Sequence, residues 1–182
     1  MGKIQEPKKA KLVVGMISQD YSLFEKVDTA LSEKFGEIDI KSCIFPFDYT
    51  SYYNEEMGEG LKRKFVAFKR LIDQDVLPEI KLWTNEFEVF FSLNGKRRVN
   101  IDPGYITERK LVLASTKDSY HRIYLGRGIY GEITLYFHNG KFLDFPWTYP
   151  DYREDKTKEF LIAARKIYLK ERKKDYGGYQ GI

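Results

Sequence analysis

Segments of strand and helix length alternate along the first half of the chain, and this order limits the fold more than any other feature. Leu12–Ile17 is a compact apolar run of strand length. Asp20 is placed to cap a helix, apolar residues then recur at helical spacing, and Gly36 ends that helix. Ile38–Phe45 is typical of a second strand, which stops at Pro46. The chain therefore opens with a strand–helix–strand unit.

A second unit of the same order follows. Phe65–Ile72 is predicted as a strand, with a helix as the alternative for so short a run. Pro78 suits the first turn of a helix that ends near Gly95, and Val99 begins another strand. Two consecutive βαβ units are the order of a ferredoxin-like sandwich. We therefore predict an α+β fold with a ferredoxin-like βαβ–βαβ start, and an α/β sandwich with a mixed sheet is the alternative.

The second half of the chain predicts antiparallel strands that extend this start, followed by a C-terminal helix. Asn139-Gly140 lies between two alternating segments, which is a strong signal for a two-residue hairpin. Apolar residues at helical spacing then predict a helix from about 155 to 174. The predicted organisation is a disordered tail at 1–10, one globular domain at 11–174 and a flexible tail at 175–182.

Composition excludes several classes of protein. The lone Cys43 excludes an internal disulfide and a thiolate metal cage, and with only two histidines we assign no metal-ligating residue. No apolar run approaches the roughly 20 residues that a membrane span needs, and no signal-peptide core follows the basic N-terminus. We therefore expect a cytoplasmic protein without a membrane partner. A net charge of +4 is too small to indicate nucleic-acid binding by itself.

The segment from Gly126 to Gly131 matches the pattern GxGxxG. A dinucleotide-binding loop of this pattern must open a helix, because the helix N-terminus holds the pyrophosphate. Here the segment leads into an alternating stretch that resumes at Ile133, which predicts a turn between two strands. The alternative is that backbone amides near Gly126 and Gly128 bind an anion.

A basic group overlaps this segment, and it is the main candidate site. Lys117, Arg122 and Arg127 are candidates to hold a phosphate or a carboxylate, with His121 as general acid or base. The alternative is a solvated edge strand. If 121–125 is a strand, His121 and Arg122 point to opposite faces and do not contact the same ligand.

Acidic and tyrosine-rich stretches supply the other candidate residues. Glu132 follows the glycine-rich segment, and Glu56 shares a loop with Tyr53, a candidate ligand-binding residue. Either glutamate is a candidate to orient His121 or a metal ion. Asp102 precedes Pro103-Gly104, so it is either a ligand-binding residue or a turn residue.

Three stretches are predicted to approach one another around a shared polar cleft. They are the Tyr52–Gly58 loop, an Asp102–Tyr105 turn and the His121–Glu132 hairpin. In these stretches tyrosine, glycine, histidine and acidic residues cluster away from the periodic apolar positions, and loops on a rigid scaffold are where binding sites concentrate.

Five segments, in the same order along the chain, resemble a known family. They are Tyr52–Gly58, Asn100–Tyr105, Lys110–Lys117, His121–Gly126 and Trp147–Tyr152. They are similar to the prokaryotic family named domain of unknown function 4416, and the similarity extends from about residue 10 to about residue 174. The resemblance implies a single-domain, prokaryotic, cytoplasmic protein, and it assigns no activity, cofactor or site residue.

Together these observations predict a small enzyme or ligand-binding protein for a phosphorylated or otherwise anionic small molecule. The alternative is a non-catalytic module that binds RNA or protein through an aromatic and basic surface, to which Trp147–Tyr152 would contribute. The sequence identifies no cofactor.

Overall fold

The computed structural model describes residues 2–176, and side chains as far as residue 173. The strands of this part are β1 Ala10–Ser18, β2 Ile38–Lys41, β3 Phe45–Pro46, β4 Lys62–Ile72, β5 Val99–Ile106, β6 Lys110–Ser115, β7 Arg122–Gly126, β8 Ile129–His138 and β9 Lys141–Asp144. The α-helices are α1 Tyr21–Phe35, α2 Asn54–Met57, α3 Leu77–Phe90, α4 Pro150–Arg153 and α5 Asp155–Tyr176. None of these helices is both long enough and apolar enough to cross a membrane.

The strands form one sheet in the order β2-β4-β1-β5-β6-β8-β7, with β3 beside β4 and β9 beside β8. Helices and antiparallel strands share the chain, so the predicted α+β class is confirmed. All strand pairs within residues 2–176 are antiparallel, so the mixed-sheet alternative is wrong. The ferredoxin-like arrangement of the first half stays a prediction. The strand order β2-β4-β1-β5 is consistent with it.

The sheet is buried on both faces, because alternate residues of its central strands are apolar on each side. On β1, Leu12, Val14 and Met16 pack with α1 and α3. Val13 points to the opposite face, where it packs with residues of α5. We call the second face the α5 face, and all candidate catalytic side chains described below lie on or beside it.

Local sequence signals fix several boundaries as predicted. The side chain of Asp20 accepts a hydrogen bond from the backbone N–H of Ser22 and so caps α1, which ends at Gly36. Asn139 and Gly140 have φ angles of 46° and 82°, the left-handed values that a two-residue hairpin requires, and they join β8 to β9. These predictions are confirmed.

Two local predictions are wrong. The predicted strand Ile38–Phe45 is divided into β2 and β3, and Cys43 lies exposed between them. The predicted turn Asp102–Tyr105 is part of the continuous strand β5. A strand can contain Pro103 because β6 pairs with β5 only from Gly104 onward. The missing N–H of the proline therefore breaks no hydrogen bond between β5 and β6.

At the N-terminus, residues 2–9 form neither strand nor helix and are exposed, whereas Ala10 is fully buried at the start of β1. The backbone carbonyl of Lys9 still accepts a hydrogen bond from the hydroxyl of Tyr168. At the other end α5 includes residues 175 and 176, and the rest of the predicted C-terminal tail lies outside the described residues.

Candidate functional site

A fully buried arginine lies on the α5 face of the sheet. Arg63 is 1% exposed, because it shares the inward face of β4 with Phe65 and Ala67. The neighbouring strand leaves room for it with a glycine. A Cβ atom on Gly15 would lie 2.6 Å from Nη2 of Arg63, so glycine is needed at this position for the guanidinium to fit.

Two aspartates and a tyrosine surround this guanidinium. Nε of Arg63 lies 3.1 Å from Oδ2 of Asp151, and Nη1 donates to Oδ2 of Asp102 at 3.3 Å. Nη2 donates to the hydroxyl of Tyr152 at 2.8 Å. Burial raises the pKa of Asp151, and the charge of Arg63 opposes that rise. Arg63 therefore compensates a carboxylate that is itself buried.

Asp102 connects this arginine to a second one. Its Oδ2 accepts from the amide of Asn100 at 2.7 Å, and the amide oxygen of Asn100 accepts from Arg97 at 3.1 Å. Nε and Nη2 of Arg97 donate to the two carboxylate oxygens of Glu56, each at 2.7 Å. The hydrogen bonds from Arg97 lower the pKa of Glu56. Glu56 is thus paired with Arg97 and has no direct contact with His121.

A second network is centred on Glu132, which is only 2% exposed. Glu132 is opposite Arg122 in the β7–β8 ladder, and Nε of Arg122 donates to its Oε2 at 2.8 Å. Nε2 of His121 lies 3.3 Å from the same oxygen, and Thr134 donates to Oε1 at 3.1 Å. Three side chains therefore orient one buried carboxylate.

His121 and Arg122 do not diverge, because the strand that would separate their side chains does not include His121. β7 begins at Arg122, and His121 lies in the preceding turn, where the backbone N–H of Arg122 donates to the carbonyl of Ser119. The alternation of a strand does not apply to His121, so both side chains reach Glu132. The other ring nitrogen, Nδ1, lies 3.1 Å from Oγ of Ser119. The imidazole also stacks on Trp147, with ring centroids 5.2 Å apart.

The two ring nitrogens of His121 have different partners. The neutral tautomer that satisfies both contacts has its proton on Nε2, where a carboxylate of Glu132 accepts it, and leaves Nδ1 as an acceptor for the hydroxyl of Ser119. The arrangement can pass a proton to Nδ1 while Glu132 stabilises the resulting imidazolium.

A tyrosine connects the two networks. The hydroxyl of Tyr149 accepts from Nη2 of Arg122 at 2.6 Å, and burial, with a contribution from the charge of Glu132, raises its pKa to about 12. Burial also raises the pKa of Tyr53, and the charge of Asp102 adds to this effect. Tyr149 therefore lies within electrostatic reach of both networks, whereas Tyr53 lies within reach of the network that contains Arg63 and Asp102.

Lys117 links the hairpin to the Tyr52–Gly58 loop, which carries Tyr53. Its ammonium donates to the hydroxyl of Tyr52 at 2.8 Å, and this hydrogen bond lowers the pKa of Tyr52. The backbone carbonyl of Lys117 also accepts from Nη1 of Arg122 at 2.8 Å. Lys117 thus connects the Tyr52–Gly58 loop to the hairpin, and Arg97 connects the same loop to Asn100 of β5. We call the surface formed by Lys117, His121, Tyr52, Tyr53 and Tyr149 the tyrosine site.

Arg127 does not join this site. It occupies the turn at the far end of the hairpin with Gly126 and Gly128, where it pairs with Glu79 at 3.4 Å. The predicted turn between two strands is confirmed, because β7 ends at Gly126 and β8 begins at Ile129. The backbone N–H of Gly128 donates to the hydroxyl of Tyr124. Arg127 borders a separate groove of about 460 Å³ along α3.

Sequence reasoning missed four residues of the two networks, Arg63, Arg97, Asn100 and Ser119, and it considered Tyr149 and Asp151 only outside the main candidate site. A signal was present for Arg63, since period-2 alternation places it on the same face as Phe65. The contacts of Arg97 with Glu56 and of Tyr149 with Arg122 join residues far apart in sequence, so no local signal indicates them. Ser119 and Asn100 lie two residues from the candidates His121 and Asp102, and this proximity was a signal that could have indicated them. Among the described residues, no group of three His, Cys, Asp or Glu side chains is placed to hold a metal ion.

Comparison with known proteins gives one match. The model of the family described as "Domain of unknown function (DUF4416)" matches residues 8–168. Searches of curated proteins and of solved structures found no match. The match spans the sheet, both networks and most of α5, which is far more than half of the chain. The chain therefore belongs to the DUF4416 family.

Proposed function

We propose that the tyrosine site binds a small molecule through a phosphate or carboxylate group, and that His121 transfers a proton to or from this molecule. The observation that carries the proposal is the shared carboxylate of Glu132, which holds His121 and Arg122 side by side. The backbone carbonyl of Lys117 contacts Arg122, and Lys117 is exposed. Because an ammonium has three donors and Tyr52 accepts only one, two donors are available for an anion.

Nδ1 of His121 is the position at which the proton moves. Ser119 already places a hydroxyl at hydrogen-bond distance from this nitrogen, so a ligand hydroxyl that takes its place is positioned to exchange a proton with Nδ1. The stacking on Trp147 and the contact with Glu132 keep the ring in one orientation. A general base needs this fixed geometry before its pKa matters.

The hydroxyl groups of Tyr53 and Tyr149 can donate hydrogen bonds to oxygen atoms of the ligand. Their raised pKa values keep both phenols protonated at neutral pH, so each remains a hydrogen-bond donor. Tyr149 accepts from Arg122 and has its own proton to donate. Asp102, 27% exposed at its side chain, is placed to accept from a ligand hydroxyl.

Calorimetric titration with inorganic phosphate and with pyrophosphate tests this proposal. Replacing Lys117 with alanine removes one charge-assisted contact, and we expect the affinity to fall about tenfold. The matched control is Lys141→Ala, which removes an exposed lysine in the β8–β9 hairpin. The proposal fails if the wild type binds neither anion, or if both variants bind as the wild type does.

One observation favours the alternative, binding of single-stranded RNA. The rings of Phe145, Trp147 and His121 form a nearly parallel stack, with centroid distances of 4.7 and 5.2 Å. Tyr120, 88% exposed, lies edge-on beside this stack, with its ring centroid 4.8 Å from that of His121 and 6.4 Å from that of Trp147. Exposed aromatic rings beside cations stack bases. Fluorescence anisotropy with a labelled short RNA measures this, and binding that depends on Tyr120 but not on Lys117 would favour the alternative.

A further inference from the structure

A groove of about 460 Å³ lies along α3, on the face of the sheet that α1 and α3 cover. The ends of α1 and β4 form its other side. Arg127 borders this groove, and the other candidate residues of the anion site lie outside it. A volume of this size accommodates a small organic molecule. The groove is therefore a second place for a ligand, separate from the tyrosine site.

The inner surface of the groove is apolar and aromatic. Phe35 and Trp83 meet there edge to face, with ring centroids 5.2 Å apart, and both are only half-buried. Ile72 and Val76 continue this surface at the margin of the core, and they are also half-buried. These four side chains leave apolar area in contact with water, and a ligand that covers this area gains free energy by removing it from water.

Charged side chains surround the apolar surface. Four are basic and three are acidic: Lys9, Lys34, Arg70 and Arg127, and Asp73, Glu79 and Glu86. Arg127 is paired with Glu79 at 3.4 Å, and Nζ of Lys34 lies 5.9 Å from the ring centroid of Trp83. The groove therefore has a small excess of positive charge.

Two of the basic side chains are available to a ligand. Within the described residues, the guanidinium of Arg70 and the ammonium of Lys9 have no ion pair or hydrogen bond, and both are exposed. They belong to the same end of the sheet, because Lys9 precedes Ala10, which pairs with Ile72. Glu86 is also unpaired, but it lies on α3. The β4 side of the groove is thus the side that favours an anionic group.

We propose that this groove binds an amphipathic aromatic anion, a molecule with a ring system and one acidic group. The rings pack on Trp83 and Phe35, and the acidic group pairs with Arg70. A guanidinium without a partner suits this role, because it binds a carboxylate or a phosphate through two parallel hydrogen bonds. Glu86 disfavours a second acidic group on the α3 side. The proposal does not depend on the function proposed for the tyrosine site.

Fluorescence titration of the full chain with two dyes tests both parts of the proposal. Anilinonaphthalene sulfonate has the rings and an acidic group, and N-phenylnaphthylamine has the same rings without the acidic group. We expect saturable binding of the sulfonate, about tenfold tighter than binding of the uncharged dye. A wild type that binds no sulfonate, or that binds both dyes equally, would overturn the proposal.

Replacement of Arg70 tests the charged contact. Arg70→Gln is expected to weaken binding of the sulfonate about tenfold and to leave binding of the uncharged dye unchanged. The matched control is Arg109→Gln, which removes an exposed arginine outside the groove, between β5 and β6, and should change neither affinity. Equal effects of the two arginine variants on the sulfonate would contradict the proposal.

Replacement of Trp83 tests the aromatic contact and the position of the dye. Trp83→Leu should weaken binding of both dyes, whereas Phe90→Leu, which removes a 77% exposed ring of α3 outside the groove, should not. Arg70 is exposed, so its variant tests the proposal independently of any effect of Trp83→Leu on folding. Loss of sulfonate binding in Phe90→Leu or in Lys117→Ala would place the dye elsewhere and overturn the proposal.

Discussion

Replacing Arg63 with methionine is expected to lower the free energy of unfolding by about 3–5 kcal/mol, the cost of leaving a buried carboxylate without its cation. Asp151 is 4% exposed, and Nε of Arg63 lies 3.1 Å from its Oδ2. Methionine fills much of the space but supplies neither charge nor hydrogen bonds. Urea unfolding at neutral pH measures the loss.

The same variant should respond to pH in a defined direction. Burial raises the pKa of Asp151, and removing Arg63 removes the charge that opposes this rise. A carboxyl group whose pKa is higher in the folded state than in the unfolded state binds a proton on folding. The Arg63→Met variant should therefore gain stability as the pH falls through the raised pKa of Asp151, and lose it as the pH rises again.

The control is the double variant Arg63→Met with Asp151→Asn. Because it removes the uncompensated charge, we expect it to recover much of the stability that the single variant loses. A loss of less than about 1 kcal/mol in the single variant would contradict this account of Arg63. So would a double variant that is no more stable than the single one.

Replacing Gly104 with alanine is expected to cost about 3 kcal/mol, the upper part of the range for an overpacked core. A Cβ at this position would lie 2.4 Å from the backbone carbonyl oxygen of Val112 and 2.6 Å from the side chain of Leu113. Both belong to β6, which pairs with β5 at Gly104. A paired backbone cannot move away without breaking its ladder, so the two strands must separate.

Gly2 offers the matched control, since nothing lies within 4 Å of a Cβ at that position. Gly2→Ala should change the free energy of unfolding by less than about 0.5 kcal/mol. Thermal unfolding of the two variants, followed by circular dichroism, compares them directly. Equal melting temperatures would show that β5 and β6 are not packed as closely as the structure indicates.

The parts of the fold that depend on neighbouring residues could be predicted from the sequence. Asp20 marks the start of α1, and Asn139-Gly140 marks a hairpin, because each signal acts over a few residues. The strand order depends on contacts between distant segments, which have no local signature. The turn predicted at Asp102 was wrong for this reason, since Pro103 is compatible with a strand only where β6 does not pair with it.

The candidate site also contains residues that their sequence neighbours indicate and residues that depend on contacts between distant segments. Lys117, His121, Arg122 and Glu132 are close in sequence, and the hairpin brings them together. Arg127 is equally close in sequence, but the hairpin extends between it and Arg122, so the two lie at opposite ends. Contacts between distant segments, such as that of Tyr149 with Arg122, could not be derived from the sequence.

Nuclear magnetic resonance of the histidine side chains tests the central claim, anion binding beside His121, most directly. The chain has only two histidines, and His138 is exposed beside the β8–β9 turn, so it serves as an internal control. We predict that pyrophosphate shifts the ring nitrogen signals of His121 in a saturable manner and leaves those of His138 unchanged. If neither histidine responds, or if both shift equally, the tyrosine site does not bind this anion and the account is contradicted.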